Sequence, residues 1–133
     1  MKPARPDIGQ LSRRDQQVLE TVAVLGAASA QDVLRECGLD VGLSTVRTFL
    51  TRLEERGFVR HTKDAKAHVY RLTPAARRLL VSHSFTNLVS IAGSPASAAA
   101  MILRATVPDL SVADVNELTD LLKSLESEVK ERR

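Results

Sequence analysis

The chain has 133 residues, 44% apolar and 26% charged, with a formal net charge of +3; this is a globular composition with room for one medium domain or two small ones. Cys37 is the single cysteine, which excludes an intramolecular disulfide and a cysteine-cluster metal site and fits a reducing cytoplasm. Met1–Ile8 lacks the apolar core of a signal peptide, and Ala96–Leu103 is far too short to span a membrane, so no membrane insertion is expected.

Met1–Gly9 holds two prolines and three charges. It reads as a flexible N-terminal arm, frayed rather than a DNA contact through Lys2 and Arg5. The first predicted helix runs from Ser12 to Leu25. Ser12 and Asp15 have capping-box spacing, Val18, Leu19, Val22 and Leu25 share a face, and Gly26 ends the helix. Ala27-Ala28 reads as a short strand. Ser29 and Asp32 repeat the cap before a second helix, Ala30–Cys37, with Val33 and Leu34 inward. Gly38–Gly42 is the turn into a third helix, Ser44–Arg56, with Ser44 as its N-cap and Gly57 as its stop. Two helices joined by a short glycine-containing turn form a helix-turn-helix. Two strands follow, about Phe58–Thr62 and Val69–Leu72, with Lys63–Lys66 as the hairpin tip. The fold class is therefore mostly α with a small β-hairpin wing. Residues 10–73 form a winged helix-turn-helix. Thr73-Pro74 opens the next helix and marks the domain boundary.

The third helix buries Val46, Phe49, Leu50 and Leu53 and leaves polar side chains on its other side. Such a face suits the major groove, where base edges present a distinct donor and acceptor code. Arg47 can fork to guanine, Thr48 can bond a base or pack on a thymine methyl, and Ser44 and Thr45 sit where hydroxyls meet phosphate. Thr51 and Arg52 come a turn later, within reach of backbone or bases. For Arg52, an ion pair with Glu36, Glu55 or Glu20 is an equal alternative. On the wing, Arg60, Lys63 and Lys66 neutralise phosphates, and Lys66 or His68 either enters a minor groove or stays at a solvated tip. Tyr70 is placed between the wing and the third helix. Residues 44–72 carry a net charge of +4, the footprint of phosphate binding.

Residues 74–133 are predicted to be helical and to dimerise. A fourth helix, Pro74–Ile91, carries Leu79, Leu80, Phe85, Leu88 and Val89, and a fifth spans Pro95–Thr106. Ser111 and Asp114 cap a sixth, on which Val115, Leu118, Leu122, Leu125 and Val129 step by three and four, an a/d seam over two heptads. With only four aromatics and no Trp, two small cores are marginal alone, so the seam and Leu88 are assigned to a homodimer interface. No catalytic set, phosphate-cradling glycine loop or metal box emerges. His61, His68 and His83 are joined by no cysteine or carboxylate, so neither an enzyme nor a cofactor nor a metal is expected. Cys37 reads as a small buried apolar residue.

Leu11-Ser12, Ala30–Val33 and above all Ser44–Val59 carry a resemblance to the BlaI/MecI/CopY family of bacterial winged-helix repressors, the penicillinase repressors. Val69-Tyr70, Gly93–Pro95, Asp109–Ser111 and Asn116–Leu118 with Leu121-Leu122 match in order. The resemblance implies a cytoplasmic homodimeric repressor reading an inverted-repeat DNA operator, relieved by a signal on the C-terminal domain. It also implies a membrane sensor protease as an upstream partner. Copper-responsive members carry Cys-x-Cys pairs, whereas no cysteine follows Cys37; the Met101–Thr106 region lacks the Asn-Phe pair associated with cleavage. A winged-helix protein-interaction module and a small-molecule-sensing regulator, its ligand between the wing domain and the fourth helix, are the alternative functions.

Overall fold

The computed structural model describes residues 4–132. Its elements are α1 (Arg13–Leu25), α2 (Ala30–Glu36), α3 (Leu43–Glu55), β1 (Val59–Asp64), β2 (Ala67–Leu72), α4 (Pro74–Ala92), α5 (Pro95–Ala105) and α6 (Val112–Glu131). One compact unit extends to Thr86 and a second begins at Asn87, within α4.

Three helices begin with the same device. In α1, α2 and α6 the hydroxyls of Ser12, Ser29 and Ser111 accept from the backbone N–H three residues on, and Asp15, Asp32 and Asp114 accept from the serine N–H in return. Each box satisfies two donors that a helix start leaves orphaned. The predicted cap of α3 differs. Gly42 is its N-cap with no side-chain bond, and Ser44 already lies within the helix, where its carbonyl accepts from Thr48 Oγ1 at 3.0 Å.

The first unit's core gathers Val18, Leu19 and Val22 of α1, Val33 of α2, Val46, Phe49, Leu50 and Leu53 of α3, and Phe58, Val59 and Tyr70 around the hairpin. Leu79 and Leu80 of α4 pack against it. Ala28 exchanges two backbone hydrogen bonds with Tyr70, at 3.0 and 2.8 Å, which ties the α1–α2 connection to β2 as the short strand predicts. Where a flexible arm is predicted through Gly9, Ile8–Gln10 is a 3-10 turn, capped by Asp7 accepting from Gly9 N–H at 3.0 Å, with Ile8 against the core. Lys2 lies outside the described residues, and Arg5 is exposed.

The end of α3 aims the hairpin. Gly57 N–H donates to Glu54 and Phe58 N–H to Leu53, while buried Phe58 and Leu53 supply the apolar contact of a Schellman turn. Gly57 has φ +85°, and a Cβ there would overlap the carbonyl oxygen of Ala4. The strands pair antiparallel from Val59↔Leu72 to Asp64↔Ala67, so the tip is Ala65-Lys66 alone and both strands outrun their predicted limits. Ala65 takes φ +54° to make that turn.

In the second unit, among the described residues only Ala98 is buried. Leu88, Val115, Leu122, Leu125 and Val129 are exposed in the single chain, and Leu118 is half-buried. Among the described residues no single helix is long and apolar enough to cross a membrane.

Candidate nucleic-acid interface

Helix α3 has the two-sided character that its sequence predicts. Val46, Phe49, Leu50 and Leu53 are buried, while Ser44, Thr45, Arg47, Thr48 and Thr51 are exposed. Apolar burial fixes the rotation of the helix, and that rotation turns the hydroxyls and the Arg47 guanidinium outward. Thr48 Oγ1 donates within the helix to Ser44, which leaves its methyl and its lone pairs for an outside partner.

Arg52 is placed differently from its exposed neighbours. Its Nη1 lies 4.0 Å from Oδ1 of Asp15, and its guanidinium lies 5.3 Å from the Phe49 ring centroid. Asp15 is the carboxylate it meets, rather than Glu36, Glu55 or Glu20. Arg56 approaches the other Asp15 oxygen at 3.8 Å and donates to the carbonyl of Gln10 at 3.1 Å. Asp15 is 2% exposed, and its Oδ1 has no hydrogen-bond partner. The inner end of α3 is thus held to the start of α1 by one buried carboxylate and two guanidiniums, and Arg52 faces that anchor.

The hairpin register sorts the wing's cations onto two faces. His61, Lys63, His68 and Tyr70 share one face, and Arg60, Thr62 and Arg71 share the other. Arg60, Lys63, Lys66 and His68 are all exposed. Arg60 and Arg71 stand directly opposite each other across the strands, a like-charge pair that costs stability unless an anion lies over it. Arg71 is a functional candidate that the predicted wing set leaves out; cross-strand register is the signal that finds it. Arg71 also donates to Thr62 Oγ1 at 3.0 Å.

The inner face is tied to α3. Glu54 accepts from the backbone N–H of His61 at 2.8 Å and meets His61 Nδ1 at 2.6 Å. The His61 and His68 rings stack with centroids 4.4 Å apart. Glu54 is therefore a carboxylate partner that the sequence reading of the histidines does not provide. Among the described residues no group of three or more His, Cys, Asp or Glu side chains is placed to hold a metal ion. Tyr70 is nearly buried; burial pushes its phenol above the ordinary value near 10, Glu54 adds to the rise and Arg47 opposes it. Helix α3, the wing and Tyr70 are in this way electrostatically joined.

A recognition helix with an exposed polar face, backed by a short capped helix and continued by a basic hairpin, defines a winged helix-turn-helix DNA-binding regulator. The penicillinase repressor family matches residues 11–124. The chain belongs to that family, and so is a DNA-binding repressor rather than an enzyme. Solved structures of transcriptional regulators share the fold. FabT of Streptococcus pneumoniae in complex with DNA is 16% identical with a TM-score of 0.53, over 93% of this chain and 79% of that one. MepR, a transcription regulator of the Staphylococcus aureus multidrug efflux pump MepA, is 15% identical with a TM-score of 0.51, over 91% and 82%. A probable transcriptional regulator from Pseudomonas aeruginosa is 21% identical with a TM-score of 0.50, over 89% and 80%. No curated protein matches the chain significantly.

Proposed function

We propose that the chain is a homodimeric repressor that reads an inverted-repeat operator through the major groove with Ser44, Thr45, Arg47, Thr48 and Thr51. The carrying observation is the exposure of these five side chains on the outer side of a helix whose inner side is buried. Lys63, Lys66 and His68, with Arg60 and the added Arg71, neutralise phosphates from the wing. Arg52 supports the helix from behind rather than contacting bases. Residues 10–73 do the reading and residues 74–133 join two chains. The second copy covers Leu88 and the seam of Val115, Leu118, Leu122, Leu125 and Val129, an apolar stripe too continuous to suit water. Half-site spacing then follows from the dimer. Relief comes from a signal on the C-terminal helices, with a membrane sensor protease as the upstream partner that the family suggests. The positive field of residues 44–72 favours this reading over a protein-interaction module.

The test begins with DNA fragments selected from a genomic library by the purified chain. Anisotropy titrations across a salt series then compare variants. Arg47→Ala costs about 1–3 kcal/mol and relaxes preference at one base pair per half-site. Lys63→Ala weakens all sequences alike and lowers the salt slope by about one. Unchanged affinity in both variants would remove this face from the interface.

A further inference from the structure

A cleft of about 660 Å³ opens between the start of α2, the outer side of α3 and the inner face of the wing. Its volume lies within the range of small-molecule sites and far exceeds that of an inorganic anion. Arg47 and Lys66 bring positive charge to its lining and His68 an imidazole, against the single carboxylate of Asp64. Among the described residues no salt bridge or hydrogen bond engages the side chains of Arg47, Lys66 or His68. Ala30, Ala67 and Tyr70 add apolar wall. Free cations beside an apolar wall select a ligand with a carboxylate at one end and a compact hydrocarbon body at the other.

The geometry points to this cleft as a binding site for a small organic carboxylate, whose occupancy excludes DNA. Binding depends only on the lining residues. Exclusion rests on the DNA-reading face proposed above, because Arg47, Thr51, Lys66 and His68 belong to both surfaces. A carboxylate that engages Arg47 and Lys66 removes two of the cations that the operator needs, and its body stands between helix and wing.

Tyr70 is the only tyrosine and the chain has no tryptophan, so intrinsic emission reports on the cleft alone. The full chain is titrated with cyclohexanecarboxylate at constant ionic strength, and with cyclohexanecarboxamide as its neutral counterpart. The acid gives a saturable change in Tyr70 emission and binds about tenfold or more tightly than the amide. Ala67→Leu fills the cleft and weakens the acid by about tenfold while DNA affinity holds within about twofold. Lys66→Gln weakens the acid comparably without adding volume. With operator present, the acid lowers DNA affinity in proportion to its own occupancy, and Ala67→Leu abolishes that effect. No saturable change, an equal response to the amide, unaltered acid binding in both variants, or full DNA binding by acid-saturated protein each overturns the assignment. The titration without DNA reads out whether or not the chain binds an operator, so failure of the ligand site and failure of the DNA face are told apart.

Discussion

Asp15 gives the sharpest test of how the recognition helix is held. It is buried, its Oδ2 accepts from Ser12 N–H at 3.1 Å and Ser12 Oγ at 2.9 Å and faces Arg56, and its Oδ1, which no donor satisfies, faces Arg52. At about 4 Å and an effective dielectric near 20, each guanidinium contact is worth up to about 4 kcal/mol before solvent is considered. The Arg52 and Arg56 side chains are 40% and 35% exposed, which cuts each contact to about 1 kcal/mol. The cost is therefore asymmetric. Asp15→Asn keeps an acceptor for Ser12 and leaves two arginines that water can solvate, so it costs about 1–2 kcal/mol. Arg52→Met with Arg56→Met keeps the alkyl stems but strands a buried carboxylate, and costs about 3 kcal/mol or more. Once Asp15 is Asn, the two arginine replacements cost little, so the cycle shows a coupling of about 3 kcal/mol, close to the whole cost of the arginine pair. Urea denaturation followed by circular dichroism measures all four proteins. Costs that add within about 0.5 kcal/mol, or an arginine pair milder than Asp15→Asn, would refute the anchor. DNA titration of Asp15→Asn adds a functional reading: the affinity drops while the salt slope stays, because no phosphate contact has been lost.

Gly57→Ala places a side chain at φ +85° and against the Ala4 carbonyl, so it destabilises by at least about 1–2 kcal/mol; a thermal midpoint equal to the parent's would contradict the turn. Asp32 and Asp114 lie below their ordinary value near 3.8, chiefly through the backbone N–H donors of Ser29 and Ser111. Their contribution is complete above the unfolded-state value and is lost as pH falls through the lower folded-state values. Stability therefore falls on acidification below about pH 4, and Asp32→Asn with Asp114→Asn flattens that fall; an unchanged acid limb in chemical denaturation would count against the boxes. Leu122→Asp puts a charge into the α6 seam and yields a monomer of 14.5 kDa with its helices intact. Sedimentation equilibrium decides it, since a parent chain that is already monomeric removes the dimer.

Local signals carried furthest in the sequence. Each Ser-x-x-Asp box lies within four residues, so the starts of α1, α2 and α6 are readable without knowing the fold. The buried stripe of α3 is legible because 3.6-residue periodicity is a property of the helix itself. The α3 cap was not, since Gly42 and Ser44 are both acceptable caps and the choice depends on how the chain leaves α2. The strand ends were missed because Lys63, Asp64 and Ala67 have little strand preference, and pairing across a two-residue turn overrides it. Long-range partners were beyond reach. Asp15 meets Arg52 and Arg56 only when α1 docks on α3, and several other acids were equally plausible partners on paper. The cleft has the same origin, since Ala30, Arg47 and Lys66 become neighbours only through tertiary packing.

The candidate reading surface comes almost wholly from one unbroken stretch, residues 44–72, whose helix and hairpin are linked by a three-residue turn and clasped by Glu54 to His61. A surface drawn from one stretch of chain can be inherited as one cassette. Exchange of that segment between related genes would move operator preference in a single recombination event, provided that the inward positions Val46, Phe49, Leu50, Leu53, Phe58, Val59 and Tyr70 keep their volumes. Outward positions are then free to diversify without stability cost, and new DNA targets become accessible by small steps on a fixed scaffold.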